Sequence, residues 1–182
     1  QSIEMVNVVN RTQTGQLPDP YDPTPAKRGM SVWYTDLTYG RVSFAIISDR
    51  IFKTAPEAVS DWDGRNDLLV EPRDDVSFMN KPGLKLVGQR QMDFLNDWIL
   101  DWKEADMKVL LSQTVFVNVA THTGSFGYVF ADMDSGGWPK NERDKVIELM
   151  RKGAVFHING DQHLPSLVQY GLSDYRDGGW SY

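Results

Sequence analysis

The most constraining feature of the sequence is an apolar run at 154–158 that directly follows an amphipathic helical pattern. The helix is predicted to begin near Pro139, because proline suits a first helical turn. Its predicted buried residues, at helical spacing, are Val146, Ile147 and Met150. A strand candidate at 109–111 precedes the helix, and the apolar run at 154–158 follows it as a second strand candidate. This order of strand, helix and strand is that of a βαβ unit. This order predicts a mixed α/β fold.

Two β-branched and aromatic runs, 31–35 and 42–47, flank Tyr39 and Gly40 and predict an antiparallel hairpin. The second run is apolar almost throughout, which predicts burial on both faces, and it ends in Ser-Asp-Arg at 48–50. A further helix is predicted across 88–104, where apolar residues recur at three- and four-residue spacing. Its predicted buried stripe consists of Met92, Leu95, Trp98, Ile99 and Trp102. The run at 115–119 also resembles a strand, and a polar, glycine-rich loop is predicted over 121–138.

Length and proline placement predict the domain organisation. A chain of 182 residues is enough for one domain. Four prolines between 18 and 25 predict that residues 1–30 form an extended arm lying over a surface, with the folded domain at 31–182. Residues 51–87 show no sustained period and predict a long loop, of the kind that is often functional or inserted.

Composition excludes several classes of function. The formal net charge of −6 argues against nucleic acid as a partner, because phosphate backbones require a basic surface. The absence of cysteine excludes a thiol nucleophile, a cysteine-ligated zinc, an iron–sulfur cluster and disulfides. No apolar run approaches the roughly 18 residues of a membrane-spanning helix, so no membrane partner is expected.

The segment Asn-Gly-Asp-Gln-His at 159–163 is the strongest candidate site, because open α/β sheets bind ligands beyond their strand ends. The Asp161 carboxylate and the His163 imidazole suit zinc, iron, manganese or similar ions. A simpler interpretation gives Asp161 a turn hydrogen bond and His163 a packing role. Asp49 and Arg50 follow another predicted strand in the same way and form either part of a site or a surface ion pair. His157, inside a predicted strand, is interpreted as a hydrogen-bonded core residue.

Several segments, taken in order, resemble the PhoD-like alkaline phosphatases within the calcineurin-like metallophosphoesterases. The residues that carry the resemblance lie at 39–50, 86–95, 107–113, 134–143 and 159–163. The last of these is similar to the Gly-Asp-x-His motif of that family, and the first to its strand ending in an Asp–Arg pair. The resemblance implies part of a four-layer αββα sandwich of two mixed sheets with flanking helices.

The resemblance also implies a site and a reaction. It places Asp161 and His163 in a metal or phosphate site, with Asp49 as a further candidate metal ligand and Arg50 and His163 as candidate catalytic residues. Metal ions at such a site activate a water for attack on a phosphate ester, which is the small-molecule partner expected here. Iron, calcium, zinc or manganese are the expected metals, and the family implies an extracytoplasmic location.

The sequence departs from the family in one large respect. Family members supply further metal ligands from an amino-terminal half with a Gly-Asp motif of its own and often a cysteine. This sequence has no cysteine and no Gly-Asp pair before position 160. The chain is therefore interpreted as the carboxyl-terminal half of such an enzyme, with the other half of the same polypeptide as its expected partner. On its own it is predicted to bind metal weakly or not at all and to hydrolyse little.

Two alternatives remain open from the sequence. One is a non-catalytic, aromatic-rich module of the kind that binds carbohydrate, with exposed aromatic rings as stacking surfaces. Its candidate rings are Trp33, Trp62, Trp138 and Trp180.

The second alternative is a family scaffold that has lost its metal site. The triplet Asp134-Ser135-Gly136 mimics an aspartic protease motif, but such an enzyme needs two of these carboxylates and the sequence has one triplet.

Overall fold

In a computed structural model of the chain, residues 2–117, 122–123 and 127–182 are described. The α-helices in these ranges are α1 (Ile3–Thr14), α2 (Asp49–Phe52), α3 (Gln89–Leu100) and α4 (Lys140–Lys152). The strands are β1 (Thr35–Tyr39), β2 (Val42–Ile46), β3 (Leu68–Leu69), β4 (Met107–Leu111), β5 (His122–Thr123), β6 (Gly127–Tyr128), β7 (Ala131–Asp132), β8 (Phe156–Ile158), β9 (Val168–Tyr170) and β10 (Gly179–Ser181).

A six-stranded mixed sheet, in the order β1-β2-β4-β8-β10-β9, forms the centre of the fold. Strands β2, β4, β8 and β10 are mutually parallel, and the edge strands β1 and β9 run antiparallel to their neighbours. The carboxyl ends of the four parallel strands therefore lie at one edge of the sheet. Strands β3 with β7 and β5 with β6 form two small antiparallel pairs. The predicted mixed α/β class is confirmed.

The predicted βαβ unit is present, because β4 and β8 are parallel neighbours connected through α4. Helix α4 buries the three predicted residues together with Leu149. Helix α3 buries Leu95, Trp98 and Ile99 as expected, but it ends at Leu100, and Trp102 is 43% exposed. The Lys108 ammonium donates to the carbonyl oxygens of Trp98 and Asp101 and so satisfies backbone groups where α3 ends.

The predicted hairpin is also present, but its first strand is Thr35–Tyr39 instead of 31–35. Tyr39 pairs with Val42 across a two-residue turn in which Gly40 and Arg41 both have positive φ, +57° and +66°. A turn of this kind matches the twist of the adjoining strands and so fixes the register of the hairpin. Strand β2 lies between β1 and β4. The predicted burial on both faces is only partly correct, because Ser43 and Ala45 on one face are buried, whereas Val42, Phe44 and Ile46 on the other are half-buried.

The expectation of an extended arm over 1–30 is wrong for its first half. Residues Ile3–Thr14 form α1, and Ser2 accepts a hydrogen bond from the backbone N–H of Met5 at its start. All the prolines of this region lie beyond the helix, at 18–25, so nothing in its sequence breaks it. The following segment is extended and packs on the domain, where the Thr35 hydroxyl donates to the carbonyl oxygen of Asp19.

In the part of the chain that the structure describes, two apolar cores stabilise the fold. The larger lies between the sheet and helices α3 and α4 and includes Tyr34, Phe94 and Leu110. The smaller consists of Val59, Met133 and Trp138, with Trp62, Phe78, Met79 and Leu84 packed against them. This second core anchors the predicted loop at 51–87, which contains the end of α2, strand β3 and two short 3₁₀ turns. No helix in the described part of the chain is long and apolar enough to cross a membrane.

The strand expected at 115–119 is not formed over its first three residues, and 118–119 lie outside the described residues. Val115 instead donates its backbone N–H to the carbonyl oxygen of Ser135, 2.9 Å away. This bond connects the segment after β4 to the turn that precedes α4.

Candidate functional site

The parallel strands bring three polar loops to one edge of the sheet. These loops follow β2 at 48–50, β4 at 112–114 and β8 at 159–163. A fourth segment, the turn at 132–136 before α4, packs beside them. Residues far apart in sequence therefore meet there.

Asp49 is fully buried and joins the loop after β2 to the loop after β4. Its two carboxylate oxygens accept hydrogen bonds from the backbone N–H groups of Gln113 and Thr114, each at 3.1 Å. Both oxygens therefore face donors of the protein itself. Asp49 therefore has a structural role as the link between the two loops.

Arg50, the next residue, extends toward the other loops. Its guanidinium donates to the carboxylate of Asp161, and a second nitrogen lies 3.5 Å from a carboxylate oxygen of Asp134. The Arg50 side chain is 33% exposed and remains accessible to a ligand. The two strand-end pairs singled out in the sequence thus lie side by side.

The loop at 159–163 bends sharply, with positive φ at Asp161 (+72°) and His163 (+53°). Both residues are exposed. They line an open cavity of about 330 Å³ together with Val115, Leu164 and Tyr182. His163 thus lines the same cavity as Asp161, the ion-pair partner of Arg50.

Two residues that the sequence analysis missed hold this arrangement together. The Gln162 side-chain amide donates to Ser135 Oγ (2.5 Å) and to Asp132 (3.2 Å). Asp132 also accepts the backbone N–H groups of Asp134 and Ser135, both at 3.0 Å. These bonds fix the turn that presents Asp134 to Arg50. Asp, Ser and Gly residues cluster at 132–137 with only Met133 between them, and such a cluster is a turn signal that could have identified Asp132.

Lys53 supports the same turn from the other side. Its ammonium donates to the carbonyl oxygens of Asp134 and Gly136. Burial lowers the pKa of Lys53 to about 8, although the nearby carboxylates of Asp49 and Asp134 act in the opposite direction. The side chain therefore stabilises the turn and adds positive charge behind the site.

His157 lies below the site and is fully buried, as its place in a strand predicted. Its Nε2 donates to Ser112 Oγ at 2.7 Å, since that hydroxyl itself donates to the carbonyl oxygen of Thr114. Ser181 Oγ lies 3.2 Å from Nδ1 and donates to it. Burial lowers the pKa of His157 to about 3, so the ring is neutral. The ring thereby ties together the carboxyl ends of β4, β8 and β10.

The charge of the site is unbalanced. Lys53 and Arg50 are the cations, and they face four carboxylates, Asp49, Asp132, Asp134 and Asp161. Across residues 2–117, 122–123 and 127–182 there is no group of three histidine or acidic side chains placed to hold a metal ion. Because Asp49 faces backbone N–H groups and Asp161 faces Arg50, these residues alone do not fit a metal centre.

The four candidate stacking tryptophans differ in their exposure. Trp138 is 5% exposed and donates its indole N–H to the carbonyl oxygen of Met79, and Trp62 packs in the same small core. Trp180 is 46% exposed, on strand β10. Two of the four candidate stacking rings therefore serve packing, which weakens the case for an aromatic binding platform.

The fold is similar to a solved chain described as "Structure of PhoD". The match covers 100% of this chain with a TM-score of 0.63 and 22% sequence identity. This chain spans 34% of the length of that structure. No protein-family model matches the sequence, and no curated protein matches it. The likeness shows that this chain shares its fold with part of that structure.

Proposed function

We propose that this chain is a portion of a metal-dependent phosphatase or phosphodiesterase that hydrolyses small phosphate esters. The contact between Arg50 and Asp161 carries the proposal, because it joins two loops at the strand ends where α/β folds bind ligands. The PhoD-like scaffold supports the same class of reaction. The proposal includes the extracytoplasmic location that the family implies and an amino-terminal half of the same polypeptide as partner.

Charge supports the need for added cations. Four carboxylates against two basic side chains leave the site with net negative charge, which opposes binding of a phosphate anion. Bound metal ions reverse such a field and supply the Lewis acid that this chemistry uses. Since the described residues do not fit a metal centre alone, the iron, calcium, zinc or manganese ions belong to the complete enzyme.

Two side chains of this chain act on the ester directly in this proposal. The planar fork of Arg50 binds two phosphoryl oxygens, and Asp134 and Asp161 hold its orientation. His163 is exposed at the rim of the adjoining cavity and donates a proton to the oxygen of the leaving alcohol. Asp49 acts through the backbone and positions Arg50.

Hydrolysis assays test the proposal. The full chain is incubated with p-nitrophenyl phosphate or bis(p-nitrophenyl) phosphate in the presence of manganese, zinc, calcium or iron. We expect slow turnover that falls at least about tenfold in Arg50→Ala and in His163→Ala. Arg41→Ala, which removes a remote exposed pair with Asp106, leaves the rate unchanged.

The outcomes separate the parts of the proposal. Turnover that is indifferent to both substitutions contradicts the assigned roles of Arg50 and His163. Turnover as fast as that of an ordinary phosphatase contradicts the view that the chain carries only part of the site.

A further inference from the structure

A second cavity, of about 710 Å³, lies between the extended segment near residue 26, helix α2 and the start of α3. Its lining differs from the rest of the molecule in charge. Four basic residues, Lys27, Lys53, Lys85 and Arg90, line it, and none of its lining residues is acidic. In a chain with 25 acidic and 19 basic residues, this is a local excess of positive charge.

The positive charge is partly available to a ligand. Lys27 and Lys85 are exposed and form no ion pair with any residue in the described ranges. Lys53 directs its ammonium away, to the carbonyl oxygens of the turn at 134–136. Two uncompensated ammonium groups thus remain on the cavity rim.

Arg90 is held rigidly in the wall. Its guanidinium donates to Asp22 (2.6 Å) and to the carbonyl oxygen of Thr24 (2.6 Å), and it lies 5.5 Å from the ring of Phe52. A fixed cation above an aromatic ring is a preorganised surface, so little side-chain entropy is lost when a ligand binds there.

The remaining lining is apolar. Phe52, Ile51, Pro25 and Ala26 form apolar wall beside the basic groups. A cavity of this volume lies within the range that holds small organic ligands. Apolar wall with lysines at the rim matches a molecule that has an apolar ring-sized body and one anionic group.

We propose that this cavity binds an organic anion with an apolar body, at a site separate from the Arg50 loops. The apolar body contacts Phe52 and its neighbours, and the anionic group pairs with Lys27 and Lys85. A ligand with only a negative charge would not contact the apolar wall, and a ligand with only an apolar body would not pair with the lysines.

Three probes test this with the full chain, followed through backbone amide NMR signals. Naphthalenesulfonate carries both features, naphthol carries only the apolar body, and inorganic sulfate carries only the charge. We expect naphthalenesulfonate to shift the amide signals of Gly83 and Gly88, with an affinity at least about tenfold above that of naphthol or sulfate. The affinity falls as salt is added, because the pairing is electrostatic.

Paired variants locate the binding. The double variant Lys27→Ala/Lys85→Ala should bind naphthalenesulfonate at least about tenfold more weakly than the wild type. Lys85→Glu alone should reduce the affinity by a similar factor. The matched control combines Lys103→Ala with Lys152→Ala, exposed lysines elsewhere on the surface, and leaves binding unchanged. The proposal is overturned if naphthol binds as tightly as naphthalenesulfonate, or if the control variant loses as much affinity as the Lys27→Ala/Lys85→Ala variant. Amide shifts confined to residues 159–163 would also overturn it. None of these results bears on phosphate-ester hydrolysis at Arg50.

Discussion

The guanidinium of Arg50 and the carboxylate of Asp161 form an ion pair although they lie 111 positions apart in the chain. Arg50 follows β2, the second strand from one edge, and Asp161 follows β8, two strands away in the sheet. Their contact joins the two strand ends that the sequence nominated independently. The proposed phosphate site depends on this pair.

Replacing Asp49 with asparagine tests the anchor beneath that pair. In Asp49→Asn, one carboxylate oxygen becomes an NH₂ group that faces a backbone N–H, so at least one buried donor loses its acceptor. We expect the free energy of unfolding to fall by about 2–3 kcal/mol. Urea titration measures it. The matched change Asp106→Asn, at an exposed ion pair, has a smaller effect, and an equal effect would contradict the anchoring role.

His157 predicts a specific dependence of stability on pH. Its pKa is lowered to about 3 in the folded chain, against about 6.5 when unfolded. Between these values the unfolded chain binds a proton that the native chain does not, so stability is lost as pH falls, by up to about 1.4 kcal/mol per pH unit.

The measurement compares wild type with His157→Gln, whose amide does not titrate in this range. Urea unfolding at about pH 7, 6 and 5 should show the wild type losing more stability than the variant. Parallel curves for the two proteins would show that His157 is not buried in its neutral form.

Substitutions of Trp138 and Trp180 distinguish a packing role of these rings from a role in ligand stacking. Because it is 5% exposed within the smaller core, Trp138→Ala should lower the free energy of unfolding by about 3–5 kcal/mol. Trp180→Ala, at a ring that is 46% exposed, should cost less than about 1 kcal/mol. Thermal and urea unfolding measure both. A stable Trp138→Ala protein that had lost binding to an oligosaccharide would favour the carbohydrate module.

Metal removal tests the partial-site interpretation. A chelator should leave the melting temperature of the isolated chain unchanged, and calorimetric titration with manganese or zinc should give a dissociation constant weaker than about 0.1 mM. Whatever weak binding occurs should disappear in His163→Ala. Micromolar binding by the wild type would show that the chain assembles a metal centre by itself.

Much of the fold could be predicted from sequence because it depends on local patterns. The stripe through Leu95, Trp98 and Ile99 identified α3, and the apolar run at 154–158 after α4 identified the crossover. Element ends were less predictable. Helix α3 stops at Leu100, where Lys108, eight positions later, satisfies its carbonyl groups, and no local periodicity contains that information.

Individual residues of the site could be predicted from the sequence, but the contacts between them could not. Strand-end position nominated Arg50, Asp161 and His163, but their chemical partners depend on how distant loops pack. The buried Asp49 was grouped with the candidate ligands, although both its oxygens are held by backbone donors of the next loop. The contact between Gln162 and the turn at Asp132 could not be predicted, because it joins residues 30 positions apart.

A double-mutant cycle on Arg50 and Asp161 tests most directly whether the two strand-end loops form one site. The free energies of unfolding of the wild type, Arg50→Ala, Asp161→Ala and the double variant give the coupling between the side chains. The structure predicts a favourable coupling of about 0.3–1 kcal/mol for this partly exposed pair, and none between Arg50 and the remote Asp106. A coupling for Arg50 and Asp161 no larger than that of the remote pair would contradict the shared site and the function built on it.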